Sequence, residues 1–179
     1  MSERPYVVAV VGDGGAAEGS LAWRLAEELG EALVTAGHRL VTGGLGGVME
    51  AACRGARRSP AHGPGSVVAL LPGHDPDQAN PYVDVAVPTG LGHLRNALVA
   101  HADALIAIGG GAGTLSEMAL AWIHDRLLLA FRVPGWSGRL AETRLDERIR
   151  FPGVVDDRVH GVDTVAEALA LLEARLGGR

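Results

Sequence analysis

The chain has 179 residues, 47% hydrophobic and only 4% aromatic, with a formal net charge of −5. That length suffices for one domain (residues 1–179) with its own core, and that hydrophobic content excludes a disordered chain. All 16 basic residues are arginine, which excludes a lysine Schiff base, a lysine nucleophile and a phosphate loop ending in Gly-Lys-Ser/Thr, and an acidic balance with no basic block argues against nucleic acid as a partner.

In chain order, Tyr6–Val11 reads as a strand that ends at Gly12-Asp13-Gly14-Gly15. Ser20–Ala36 is helical, with Leu21, Leu25, Leu29 and Leu33 every fourth residue, and Gly37 stops it. His38–Thr42 is a second strand, running into Gly43-Gly44-Leu45-Gly46-Gly47 and a helix over Val48–Arg57. A Pro/Gly-rich link (Ser59–Gly65) leads to the strand Ser66–Leu71, an irregular stretch (Pro72–Asn80) and a short strand near Tyr82–Val87. Leu91–His101 reads as a helix, Ala104–Ile108 as a strand, Thr114–Asp125 as a helix and Arg126–Phe131 as a strand. Val133–Gly138 reads as a loop, the charge-rich residues 139–151 as a helix or a lid, and Val162–Leu176 as a closing helix.

Strands alternating with helices predict an α/β fold with an open, mostly parallel sheet. A core of Ala, Val, Leu and Ile suits strands that are apolar on both faces. In such sheets ligands bind beyond the carboxyl ends of the strands. Three glycine clusters, 12–15, 43–47 and 109–113, each follow a strand and are expected on that one edge. The third is the most informative. Gly109-Gly110-Gly111-Ala112-Gly113-Thr114 joins an apolar strand to a helix. Bare main-chain amides and the positive end of the helix dipole there suit a phosphate group. A plain strand–helix turn is the alternative.

Two segments carry a family resemblance. Thr42–Met49 resembles the Gly-Gly-Gly-x-x-Gly-Leu-Met segment of the LONELY GUY (LOG) proteins, and Gly110–Glu117 resembles their Pro-Gly-Gly-x-Gly-Thr-x-x-Glu hallmark. His93-Leu94-Arg95-Asn96 lies between them, where the family has His-x-Arg-Lys, and the likeness covers roughly residues 6–131. Members were long mislabelled lysine decarboxylases. The resemblance implies a three-layer Rossmann-like fold with helices on both faces and a homo-oligomer, a dimer or tetramer. It also implies hydrolysis of nucleoside 5′-monophosphates to base and ribose 5-phosphate. Gly109 replaces the hallmark proline and Asn96 the family lysine. Those departures, and Asn80-Pro81-Tyr82-Val83, are closer to a sister branch that includes the molybdenum-cofactor carrier proteins, which bind a phosphate-bearing pterin.

The resemblance assigns Arg95 and Glu117 as candidate catalytic residues. The three glycine clusters, together with the resemblance, give Gly12, Gly43, Gly44, Gly46, Gly47, Asn96, Gly110, Gly111, Gly113 and Thr114 as phosphate or ligand contacts. Glu117 would stabilise positive charge growing on a ribose ring, or else complete a capping box with Thr114 three residues earlier. Arg95 would clamp an anion or pair with Glu117, or else be a solvated surface residue. No cofactor is required by the hydrolase reading, and the ligand is a nucleoside monophosphate or molybdenum cofactor. The seven histidines show no metal spacing. Cys53, the single cysteine, is expected to be a buried structural thiol. No signal-peptide pattern and no apolar run of about 20 residues is present, so a cytoplasmic protein without a membrane span is expected.

Overall fold

A computed structural model describes residues 4–177. Within them, seven strands form one sheet: β1 (Val7–Gly12), β2 (Arg39–Thr42), β3 (Val67–Leu71), β4 (Val85–Pro88), β5 (Ala104–Ile108), β6 (Leu127–Phe131) and β7 (His160–Val162). The spatial order is β4-β3-β2-β1-β5-β6-β7 and every pairing is parallel. The chain builds outward from β1 to β4, then returns to set β5 against the other side of β1. The strand order therefore reverses between β1 and β5, with Gly12 in register with Ile108. A crevice opens at such a reversal because the two connections leave in opposite directions.

Helices cover both faces, as expected. They are α1 (Leu21–Thr35), α2 (Val48–Arg58), α3 (Asn96–Val99), α4 (Ala112–Ile123), α5 (Trp136–Leu140) and α6 (Val165–Leu176). Side chains alternate across a strand, and β1 shows the consequence. Val8 and Val10 join a core with Leu29 and Leu33 of α1, Ala52 of α2 and Leu172 of α6. Ala9 and Val11 join a second core with Val99 of α3 and Met118, Ala121 and Trp122 of α4. All residues of β5 and β6 are buried, so their uninterrupted apolar runs are what two covered faces demand.

Several expected elements shift. Residues 91–101 are not one helix: Gly92 has φ +55, and a 3-10 turn (Gly92–Arg95) precedes the short α3. Arg95 is buried at the end of that turn, while Leu91, Leu94 and, in α3, Leu98 are exposed. The strand expected near 82–87 is β4, because Asn80 and Pro81 first turn the chain. The loop expected at 133–138 contains the start of α5. Val162 ends β7, pairing with Phe131, and α6 begins after Thr164, whose hydroxyl accepts from the Glu167 N–H at 3.2 Å. Beyond α5, residues 141–159 hold no helix or strand and fold around side chains instead. Arg150 donates to both oxygens of Asp157, and Trp122 donates to Asp146. No helix among the described residues is long and apolar enough to cross a membrane.

Candidate functional site

The three glycine clusters meet at the carboxyl edge, at the β1/β5 reversal. The Thr114 hydroxyl donates to the Gly12 carbonyl at 3.1 Å, tying the third cluster to the first. The Val48 N–H donates to the Asp13 carbonyl at 2.9 Å, tying the second to the first. Gly47 has φ +63, and any side chain there would overlap the Asp13–Gly14 backbone, so this crossing requires glycine. Asp13 itself forms a local turn, accepting from the Gly15 N–H.

Helix α4 opens onto this edge. Its N-cap is Gly111, with no side-chain cap, and the first backbone bond runs from Leu115 N–H to Gly111 O. The N–H groups of Ala112, Gly113 and Thr114 have no protein partner among the described residues. Such groups sit at the positive end of the helix dipole, where an anion is favoured. Gly111 and Gly113 are exposed, and a methyl on either would meet nothing within 4 Å. Protein packing does not require glycine at these two positions.

Behind the amides lies a buried polar cluster. Arg95 donates to Glu117 at 3.2 Å, to the Asn96 side-chain oxygen at 3.0 Å and to the Gly43 carbonyl at 3.4 Å. Its Nε is buried with no partner. A methyl on Gly43 would overlap the guanidinium. Asn96 donates to the Ser116 hydroxyl at 2.8 Å, which in turn donates to the Gly113 carbonyl at 2.7 Å. The cluster is thus wired to the open turn of α4. Arg95 is not a solvated surface residue. The capping-box alternative for Glu117 also fails, since α4 starts two residues before Thr114 and the carboxylate bonds to Arg95. Burial pushes the Glu117 carboxyl up to about 7, against the opposing pull of Arg95. Burial likewise lowers the Arg95 value below its ordinary one.

Other residues shape the loops. Asn80 grips the second cluster: its N–H reaches the Gly44 carbonyl at 2.8 Å and its side-chain amide the Leu45 carbonyl at 3.1 Å. Cys53 is buried beneath, beside Thr42 and Asn80, and burial pushes its thiol up to about 11, which keeps it an unreactive thiol. Gly44 donates to the Thr42 hydroxyl, while Gly46 lies near the Gly14 carbonyl and Glu50. Gly110 has φ +87, and the space a side chain would need is filled by Thr114. Sequence reasoning missed Ser137. Its hydroxyl accepts from the Gly109 N–H at 2.7 Å and donates to the Phe131 carbonyl at 2.8 Å. The only hint was Gly135-Trp136-Ser137 closely following a strand; Gly135, at φ 122, packs on the Gly109–Gly110 backbone. His93 is exposed and Trp122 belongs to the core.

A family model described as the SLOG cluster4 family matches residues 5–167. An uncharacterized protein from Archaeoglobus fulgidus is 42% identical over 113 residues, covering 63% of this chain and 72% of that protein. Among solved structures, the structural-genomics protein TM1055 is 31% identical with a TM-score of 0.79, covering 94% of this chain and 99% of its own. The molybdenum cofactor binding protein from Rippkaea orientalis is 29% identical with a TM-score of 0.79, over 98% and 99%. The molybdenum cofactor carrier protein from Chlamydomonas reinhardtii is 29% identical with a TM-score of 0.76, over 97% and 99%. The resemblance read from the glycine motifs is borne out, and its solved neighbours include the carrier branch.

Proposed function

The chain belongs to the SLOG cluster4 family, and on that premise we propose that it binds a phosphate-bearing pterin, molybdenum cofactor, without transforming it. The observation that carries this reading is the open first turn of α4. Three unpartnered amides stand beside two exposed glycines that packing leaves unexplained. A phosphate there receives N–H donors and dipole field with no side chain in its way. The side chains nearby are tied into the protein: Thr114 to the Gly12 carbonyl, and the terminal nitrogens of Arg95 to Glu117, Asn96 and the Gly43 carbonyl, with only the buried Arg95 Nε left over. Binding by main chain, with polar side chains committed to holding the loops, suits a carrier. The likeness to cofactor-binding and carrier proteins supports the same ligand class.

The test mixes purified protein with molybdenum cofactor and follows cofactor oxidation by pterin fluorescence. Stoichiometric protection is expected, and Gly113→Leu, which fills the open turn, is expected to abolish it. Equal oxidation with and without protein would sink the reading.

One observation favours a second reading, hydrolysis of a nucleoside 5′-monophosphate. Glu117 is buried behind the open turn of α4 and paired with Arg95 at 3.2 Å, and burial raises its carboxyl to about 7, near the value an acid–base group needs at neutral pH. Incubation with AMP would then release adenine, detected by chromatography, and Glu117→Gln would lose it. No base from any common nucleoside monophosphate removes this alternative.

A further inference from the structure

A cavity of about 530 Å³ lies at the amino edge of the sheet, opposite the glycine loops. It is bounded by the end of α4, the start of β6, the buried His160 of β7, Arg175 near the end of α6, and residues 151–157. Helix α4 separates the two edges by about 18 Å, at 1.5 Å per residue. Cavities of this size hold small organic molecules.

The charges around it are unevenly satisfied. Asp157 is held by two bonds from Arg150, at 3.0 and 2.6 Å. Arg175 pairs with Asp156, outside the lining, at 3.1 Å. Asp125 is exposed at the rim. Arg126 has no ion-pair partner within 4 Å among the described residues: one terminal nitrogen meets the His101 ring at 3.0 Å, its Nε is buried, and Asp103 attracts it only from farther away. Arg126 is thus the cation of the lining that no carboxylate of the described residues neutralises within ion-pair distance. Leu127, Phe151 and Val154 give the lining an apolar part, and His124 and His160 are its remaining polar side chains. The wall is also held in place. Arg150 lies 3.7 Å over the Trp122 ring and donates to the Arg126 carbonyl at 2.8 Å.

We propose that this cavity is a second binding site, for a small organic anion with an apolar ring, an aromatic carboxylate or sulfonate. Arg126 takes the anionic group, and the ring lies among Leu127, Phe151 and Val154. The site is independent of whatever occupies the glycine edge.

The test titrates the full chain with 1-anilinonaphthalene-8-sulfonate and with its uncharged relative N-phenyl-1-naphthylamine, read by fluorescence. The sulfonate is expected to saturate at one site. Arg126→Met is expected to weaken it at least tenfold while moving the neutral probe less than twofold. Gly113→Leu, at the opposite edge, is expected to leave both unchanged. Unsaturable binding, equal sulfonate affinity in Arg126→Met, or loss in Gly113→Leu overturns the proposal. Amide NMR on the unmutated chain decides the matter if the variant does not fold. Probe-induced shifts centred on residues 124–127 and 151–160 support the site, and shifts centred elsewhere overturn it.

Discussion

Two helical glycines in this chain ask for opposite outcomes from the same substitution. A methyl on Gly55 of α2 would overlap the Glu27 carbonyl of α1. Gly55→Ala is therefore expected to destabilise by about 1–3 kcal/mol through overpacking, outweighing the helix preference for alanine. A methyl on Gly113 meets nothing, so Gly113→Ala is expected to stabilise by about 0.5–1 kcal/mol. Urea unfolding of the two variants checks both signs. If Gly113→Ala is also destabilising, the idea that this glycine is kept for a ligand loses its basis. Glu117 gives a second expectation. Its folded carboxyl is raised from 4.5 to about 7, so the folded state holds its proton more tightly than the unfolded chain. The stability tied to that proton is fully present below about pH 4.5 and is lost as pH rises through about 7. Between pH 4.5 and 8, the parent chain should lose stability relative to Glu117→Gln, on the order of 2–3 kcal/mol. Denaturation midpoints at both pH values, compared between the two proteins, measure this; parallel profiles would contradict it.

At the scale of elements, the third glycine loop is held from outside. Ser137 of α5 is fully buried and bridges the Gly109 N–H to the end of β6. Ser137→Ala strands both groups and is expected to cost about 1–3 kcal/mol. Ser137→Cys, which keeps a weak donor and acceptor, should lose less. Calorimetry on the pair distinguishes this from a mere volume effect. Beyond Gly135-Trp136-Ser137 closely following a strand, the sequence did not show this, because Pro134, Gly135 and Gly138 mask a five-residue helix. Strand β7 escaped for a related reason: His160-Gly161-Val162 is too short and too polar to form an apolar run, and only pairing with β6 makes it a strand. Strands β1, β5 and β6 were legible because each is covered on two faces and must be apolar throughout.

Across the whole molecule, stability should fall off from the sheet centre. Val8–Val11 of β1 and every residue of β5 and β6 are buried, whereas residues 141–159 depend on side-chain bonds from arginines such as Arg144 and Arg150. Amide exchange of β1, β5 and β6 is expected only through global unfolding, and that of residues 141–159 through local opening. Mass-spectrometric exchange would reveal the gradient, and uniform protection would contradict it. The sheet order also decides where function sits, because the reversal between β1 and β5 gathers loops that are about 30 and 60 residues apart along the chain at one edge.

The alternation of apolar runs and helical periods determined the α/β class, and glycine placement determined which edge carries the loops, since both follow from local backbone and burial rules. The family motifs marked Arg95 and Glu117, but their contact spans 22 residues. Only the fold decided that the two meet in a buried pair rather than as a surface residue and a helix cap. The same holds for Ser137, Asn80 and the cavity beside Arg126. Their environments are built from distant segments, and burial, charge and hydrogen-bond partners are properties of the assembled neighbourhood, which no local pattern encodes.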